Sequence, residues 1–328
     1  MLSRPPVGVV VPVYNAGDCL SRCVESVLAQ QLAAWQLLLA DDGSTDGSGA
    51  LCDAYAARDA RIAVIHRENG GASAARQTGV EGTAGEYIAF ADSDDRLEPD
   101  YLATLYQAAR QEDAGLVCCN CTDDGEIGQD NRLIERRETA ALERLLALHL
   151  EERRFAYTLW GKLIRRELLA DAEFVRMRYT EDTYMLLDCF VRSGSALLLP
   201  YAGYHYVANP QSATALKGEQ EWYRCNLRTI AHLCALCREC GSVQLEKAQR
   251  KLAEKTFILL ALRCRAPRKA SDPGAAEFAR SLGGLRRELT ARVLLQSKKG
   301  AVVLLYRCCP AVTEAALRLY YGLRGRRP

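Results

Sequence analysis

The sequence predicts an α/β fold built on a mainly parallel sheet with helices on both faces, and three observations carry that reading. Across residues 7–121, short apolar runs alternate with segments of helical periodicity, the βαβ order that builds parallel sheets. The runs themselves, such as Val7–Val13 and Tyr87–Ala91, are apolar on successive positions, as strands covered on both faces are. Acidic clusters stand directly after two of these runs, Asp41-Asp42 and Asp92-Ser93-Asp94-Asp95. In open α/β sheets ligands bind outside the carboxyl ends of the strands, so two such clusters converge on one crevice.

Taken in order, Val7–Val13 is the first strand. A helix follows with Leu20, Cys23, Val24, Val27 and Leu28 on one face and Asp18 as its expected N-cap. The second strand ends at Asp41-Asp42, and the next helix carries Leu51 and Tyr55. Ile62–Ile65 is the third strand, Asn69-Gly70-Gly71 a turn, and a helix runs through Ala75. The fourth strand begins at Tyr87. Pro99 marks the start of a helix with Leu102, Leu105, Tyr106 and Ala109 on its buried face, and Gly115–Cys121 is a fifth strand. Residues 122–137 are polar and read as a loop, and Thr139–Leu150 as a short apolar helix. Thr180-Glu181-Asp182-Thr183 opens a helix carrying Met185, Leu186 and Phe190, and Ala196–Leu199 and Tyr204–Val207 read as two strands. Beyond Gln211 the chain turns to long helices rich in Leu, Ala, Cys and Arg. The expected division is a domain over 1–215, with halves 1–115 and 116–215, and a helical C-terminal region over 216–328.

With 328 residues and 49% hydrophobic content, the chain can bury a substantial core. A net charge of +2 gives the whole protein no nucleic-acid-binding or membrane-binding field. The fourteen cysteines include adjacent pairs, Cys118-Cys119 and Cys308-Cys309, inside apolar runs, which suits free thiols in a reducing compartment. The N-terminus has no signal-peptide core, and no stretch reaches the roughly eighteen apolar residues of a spanning helix. A cytoplasmic enzyme is therefore expected. Cys234, Cys237 and Cys240 fall on a helical stripe with Leu227, Ile230 and Leu233, which favours core or interface cysteines over a zinc site. The C-terminus, from Lys298-Lys299 through Tyr320-Tyr321 to Arg327, fits two readings equally. One is peripheral association with an anionic membrane surface; the other is a packed helical region with a solvated basic tail.

Asp92 and Asp94 lie two residues apart after the fourth strand, so in extended backbone both point to one face. Two such carboxylates repel unless a cation sits with them, and a hard divalent ion with oxygen ligands is its natural form. Taken alone, the pair reads more readily as solvated loop acids. Together with Pro12-Val13-Tyr14-Asn15 and Asp41-Asp42-Gly43, it resembles glycosyltransferase family 2 over residues 7–215.

The resemblance implies a GT-A, Rossmann-like domain that moves a hexose, with inversion, from a nucleotide diphosphate sugar to a hydroxyl of a glycan or lipid-linked glycan. The expected donor is UDP-linked, and the expected cofactor is Mn2+ or Mg2+. Carried over residue by residue, Asp94 binds the metal, Asp92 lies against the ribose or shares the ion, and Ser93 joins the nucleotide-sugar site. Asp42 accepts from the uracil imide N–H, with Asp41 orienting the loop, while Pro12 and Tyr14 hold base and ribose. Tyr14 could otherwise be core, and Thr45 and Asp46 could simply cap the second helix. Ala74-Ala75-Arg76-Gln77-Thr78-Gly79 resembles the family's Ala-Arg-Asn-x-Gly, and its Arg76 is expected on the diphosphate or ribose. Asp182 matches the general base; Glu181 precedes it, and both acids also suit a helix start.

Two positions depart from the family. Trp160-Gly161-Lys162-Leu163 resembles a segment that shapes the acceptor side, with Gly161 where the family usually has Asn, and residues 204–212 resemble the stretch that closes over the diphosphate, with Val207 where many relatives carry Arg as a basic clamp. His205 or Lys217 could replace that basic clamp. The two departures are the only support for an alternative, a catalytically inactive nucleotide-sugar-binding partner subunit. A nucleotidyltransferase or a dehydrogenase is disfavoured because no glycine-rich phosphate loop follows the first strand.

Overall fold

The computed structural model describes residues 5–123, 134–151, 157–209, 219–265 and 291–310, with positions 313, 316 and 317. The chain forms two compact units, residues 1–177 with 181–215 and residues 178–180 with 216–328.

The first unit begins with β1 (Val7–Val13), β2 (Trp35–Asp41), β3 (Ile62–His66) and β4 (Tyr87–Phe90), all parallel and ordered β3-β2-β1-β4. β1 is buried at every position but the half-exposed Pro12, because both its faces are covered. The intervening helices are α1 (Cys19–Leu28), α2 (Ser48–Arg58) and α3 (Ala72–Gly82). α1 buries Leu20, Cys23, Val24 and Val27, but Asp18 makes no side-chain cap; it is already helical, so its carboxyl does not face the free N–H groups. α3 lies so close to β1 that a Cβ at Gly79 would stand 2.2 Å from Val10 Cγ1. The glycine is a packing requirement, and it sets α3 where its Arg76 reaches the sheet's carboxyl edge.

The second half departs from a simple parallel order. It contains β5 (Arg96–Leu97), α4 (Tyr101–Gln111), β6 (Leu116–Asp123), β7 (Glu138–Ala141), α5 (Leu142–Leu150), β8 (Lys162–Arg165), α6 (Glu181–Ser193) and β9 (Ser195–Tyr206). β8 enters antiparallel between β4 and β6, β9 runs parallel to β6, and β5 and β7 pair antiparallel with β9. The described sheet thus has nine strands, in the order β3-β2-β1-β4-β8-β6-β9-β5 with β7 also on β9.

Two expectations are corrected here, and one strand, β8, was not foreseen. The helix expected from Thr139 begins at Leu142, because residues 138–141 pair with β9 and that ladder overrides their helix propensity. The two expected strands around 196–207 are one strand, β9, whose register against β6 shifts on either side of Asn120. β8 follows Gly161 and carries a fully buried lysine, so its start has no strand signature. Most of the loop expected over 122–137 lies outside the described residues.

The second unit contains α7 (Glu219–Glu239), α8 (Leu245–Arg265), α9 (Ala291–Leu294) and α10 (Lys298–Cys308). Leu227, Ile230, Leu233, Cys234 and Cys237 form the buried stripe of α7, whereas Cys240 is exposed. α10 is capped by Ser297, whose hydroxyl accepts from Gly300 N–H, and it packs on α8 through buried Val303 and a Lys299–Glu254 ion pair. The basic residues at 324–327 lie outside the described residues. None of the described helices is long and apolar enough to cross a membrane.

Candidate active site

Parallel pairing of β1 with β2 and β4 brings the ends of all three to one edge of the sheet. Two acidic clusters meet there. At the end of β2, Asp41 is buried and accepts from Ser44 N–H at 3.0 Å and from His66 Nδ1 at 2.8 Å. Burial works against its charge, but the Ser44 and His66 hydrogen bonds outweigh it and hold the carboxyl below its usual range. It orients the loop, as its position suggested. Asp42 accepts from Gly70 N–H at 3.0 Å, from Gly71 N–H at 2.7 Å and from Arg67 Nη1. Its carboxylate sits at the N-terminus of α3, where negative charge is favoured, and its side chain is only 3% exposed. Asp42 was expected to read a base; here both its oxygens are committed to the 67–71 loop.

Across from these acids, Tyr14 is 53% exposed, which removes the core reading of its ring. Asn15 adopts φ +46° and its Oδ1 accepts from Thr45 N–H at 2.8 Å, tying the loop after β1 to the loop after β2. Asp46 accepts from Ser48 N–H at 3.0 Å and Gly17 N–H at 3.0 Å, so Asp46 closes the first turn of α2 while Thr45 does not.

After β4 the chain turns at once: Asp95 N–H donates to Asp92 C=O at 3.1 Å. The extended spacing assumed for Asp92 and Asp94 is therefore replaced by a turn, with Ser93 half-buried at its tip. Asp94 Oδ2 accepts from Asn209 Nδ2 at 2.9 Å, and its backbone carbonyl accepts from Arg22 of α1. Burial, and then the charge of Asp92, push the Asp94 carboxyl above its usual range. Asp95 is 1% exposed and accepts from Tyr204 O–H and from Val207 N–H at 2.8 Å. Burial and Asp92 raise its carboxyl to about 8. Tyr204 also accepts from Asp92 N–H at 3.1 Å and stacks on Trp160 with ring centroids 4.8 Å apart, which pins the turn to β9. Asp95 and Arg22 received no role of their own from the sequence, and Tyr204 and Asn209 only that of the stretch expected over the diphosphate; the run of three acids in four residues was the available signal.

Arg76 and Asp182 complete this cluster. The Arg76 guanidinium is buried and forks to Asp92 Oδ1 at 2.9 Å, Asp182 Oδ1 at 2.5 Å and Glu181 Oε1 at 3.3 Å. Its positive charge is thereby reinforced: burial disfavours the cation, but Asp182, Asp92 and Glu181 more than compensate. Arg76 was expected on the donor's diphosphate or ribose; here it meets three carboxylates. Burial raises the Asp182 carboxyl to about 7, against the lowering by Arg76 and with the help of Glu181 and Asp92. Thr180, just before α6, holds φ +62°, a strained conformation for a β-branched residue that fixes where the helix begins.

With this geometry in place, comparison with known proteins is decisive. The family model described as Glycosyl transferase family 2 matches residues 8–172. The chain is 31% identical over 288 residues to the uncharacterized glycosyltransferase EpsJ of Bacillus subtilis, covering 82% of this chain and 81% of that one. This chain belongs to glycosyltransferase family 2.

The glycosyltransferase is also 32% identical over 232 residues to glycosyltransferase GlyG of Streptococcus pneumoniae, covering 66% of this chain and 76% of the relative. Its fold is that of GT-A enzymes. The S. aureus TarS 1–349 structure in complex with UDP-GlcNAc superposes with a TM-score of 0.70 at 17% identity, over 98% of this chain and 92% of that one. The Pyrobaculum calidifontis mannosyltransferase PcManGT, solved with GDP-Man and Mn2+, gives 0.54 at 18% identity, over 97% of this chain and 88% of that one.

Family membership sharpens the two departures. Gly161 sits at φ +70°, a region that Gly and Asn enter most readily. Val207 contributes its backbone N–H to Asp95. His205 is no clamp: it is buried, with Nδ1 2.6 Å from Thr122 Oγ1 and Nε2 2.5 Å from Glu98 Oε1. Lys217 lies outside the described residues.

The donor set after β4 fits a hard divalent cation. Asp94 is a partly desolvated carboxylate in a field of like charge, which such an ion relieves. Among the described residues no group of three or more His, Cys, Asp or Glu side chains is gathered to hold a metal. That suits an ion that takes one or two carboxylates and completes its shell with phosphate oxygens and water.

Proposed function

We propose that this glycosyltransferase transfers a hexose from a UDP-sugar to a hydroxyl of a glycan or lipid-linked glycan, with inversion, and that Asp182 is its general base. The observation that carries the reading is the state of Asp182. It is a half-buried carboxyl, 17% exposed, held 2.5 Å from the Arg76 guanidinium, and desolvation raises its pKa to about 7. A base is most effective when its pKa lies near working pH.

In the proposed step the Asp182 carboxylate takes the proton of the acceptor hydroxyl. The freed oxygen forms the new bond to the anomeric carbon, and the bond from that carbon to the diphosphate breaks, the electron pair leaving with UDP. Asp94, with Asp92 beside it, would hold Mn2+ or Mg2+, which when bound neutralises charge on the leaving diphosphate. Tyr14, exposed at the end of β1 beside Pro12, offers a ring face to the base. Asp42 already accepts from three loop donors, so it is assigned to shaping the 67–71 loop that borders the base. The buried free thiols Cys23, Cys52, Cys118, Cys119 and Cys189 support a reducing, cytoplasmic setting. An inactive partner subunit has less support, because Gly161 holds a positive φ that Asn, the family's usual residue there, also adopts readily.

The test begins with a screen of UDP-sugars for slow hydrolysis in Mn2+, followed by transfer to sugar acceptors. With the active donor, Asp182→Asn should slow transfer by about 10² to 10⁴, the usual worth of general-base catalysis, while UDP affinity barely moves. Glu181→Gln should cost far less. Equal small losses in both variants would leave only helix-start acids and sink the assignment.

A further inference from the structure

Arg76 stands apart from every other cation of the site. Its side chain is 6% exposed, and its partners come from two distant parts of the chain: Asp92 after β4, and Glu181 with Asp182 at the start of α6. Nη2 serves Asp92, while Nη1 is shared by the two α6 acids. Nε is buried with no hydrogen-bond partner, so the two terminal nitrogens carry the whole interaction. One positive charge therefore faces three carboxylates, and the fork geometry dictates where each can stand. Three of the five guanidinium N–H donors are thereby committed to carboxylates.

We infer that Arg76 is a positioning residue, a buried fork that holds the Asp182 carboxylate in fixed relation to the Asp92 carboxylate of the donor side. The inference rests on the assignment of Asp182 as the base. It gives the Ala75-Arg76-Gln77-Thr78-Gly79 segment of this chain a single purpose. Gly79 lets α3 approach β1, and that approach delivers Arg76 to the two acids. Oδ1 of Asp182 is fastened to Arg76, so Oδ2, which has only a 3.5 Å contact with Leu159 N–H, is the oxygen left to receive a proton. The groups whose charge acts on Asp182 are Arg76, Glu181 and Asp92, and the buried Lys162 of β8 also lies within reach of its field. Arg76 is the nearest of them and the one in direct contact.

The test needs no acceptor. Protein labelled with carboxyl-13C aspartate is titrated by NMR, and the Asp182 signal is assigned by its loss in Asp182→Asn. In Arg76→Met that titration should rise by at least one pH unit, a tenfold change in proton affinity, because the contacting cation is gone. Arg76→Lys keeps one charge in the buried site and guards against misfolding; in it the rise should be smaller but present, because an ammonium cannot fork to both sides. With the active UDP-sugar, the acidic limb of the transfer rate should move with the NMR titration. An Asp182 titration that stays in place in either folded variant overturns the inference. Loss of UDP affinity without that shift overturns it too, since the guanidinium would then be gripping the diphosphate. Failure of the base assignment is told apart by its own variant: Asp182→Asn would then transfer sugar at the normal rate whatever Arg76 does.

Discussion

The two acidic strand ends begin from nearly the same sequence and finish in opposite states. After β2, every acid is answered by donors from its own surroundings: Asp41 by Ser44 and His66, Asp42 by Arg67, Gly70 and Gly71. After β4, acids outnumber the positive charge that meets them. Asp94 is raised by burial and Asp92, and Asp182, brought in on α6, stands at about 7. A carboxylate saturated by N–H donors is a fixed part of the frame. One left in a buried field of like charge is poised to take a cation or a proton. On the proposed assignment Asp41 and Asp42 build the site, and Asp94 and Asp182 work in it.

The largest effect should come from exchanging one acid in each cluster. Asp42→Asn sets an amide against three donor groups and removes the partner of a largely buried arginine. It should cost about 3 kcal/mol of stability, read as a fall in the denaturation midpoint. Asp94→Asn should cost little stability yet abolish Mn2+-dependent UDP binding. If the two variants behave alike, the distinction between frame and working acids fails.

A smaller effect is expected in the pH dependence of Asp182. Its folded pKa of about 7 lies above the ordinary 3.8. The stability it contributes is therefore full below about pH 4 and is lost as pH rises through 7. Asp182→Asn, which stays neutral, should gain thermal stability relative to the parent between pH 5 and pH 8. A constant gap between their melting temperatures would show that the acid is not raised.

The smallest effect belongs to the β2 cluster and has a different pH window. His66 is raised above its ordinary 6.5 by its hydrogen bonds to Asp41 and Asp53, so its contribution is present below 6.5 and fades as pH rises through the folded value. Its ring is about half exposed, so solvent screens most of the effect. His66→Asn should lower the melting temperature by a degree or two at pH 6 and by less at pH 9. A loss that grows with pH would mean that the imidazole is not held as a cation between the two acids.

The order of strands and helices through β4 was legible because local patterns encode it: continuous apolar runs for strands covered on both faces, and helical stripes between them. The acidic ends of β2 and β4 and the Glu181-Asp182 helix start were legible for the same local reason, since acids that interrupt apolar structure stand out. The residues that complete the site were less so. Asp95, Tyr204 and Asn209 act through contacts spanning 109 to 115 residues, and no pattern within one segment announces them.

By itself the sequence determined the α/β order, the family and the acids worth testing, because burial periodicity and motif spacing are properties of neighbouring residues. Only the tertiary structure decided which acids are saturated and which are not. Asp42 and Arg76 were both expected to hold the donor. Folding gave Asp42 the 67–71 loop and gave Arg76 the acids at 181 and 182, which lie 105 and 106 residues away. A charged group's role is set by the charges and donors that end up beside it: pairing of β3 with β2 placed the partners of Asp42, and long-range pairing of β8 and β9 with β4 and β6 placed those of Arg76.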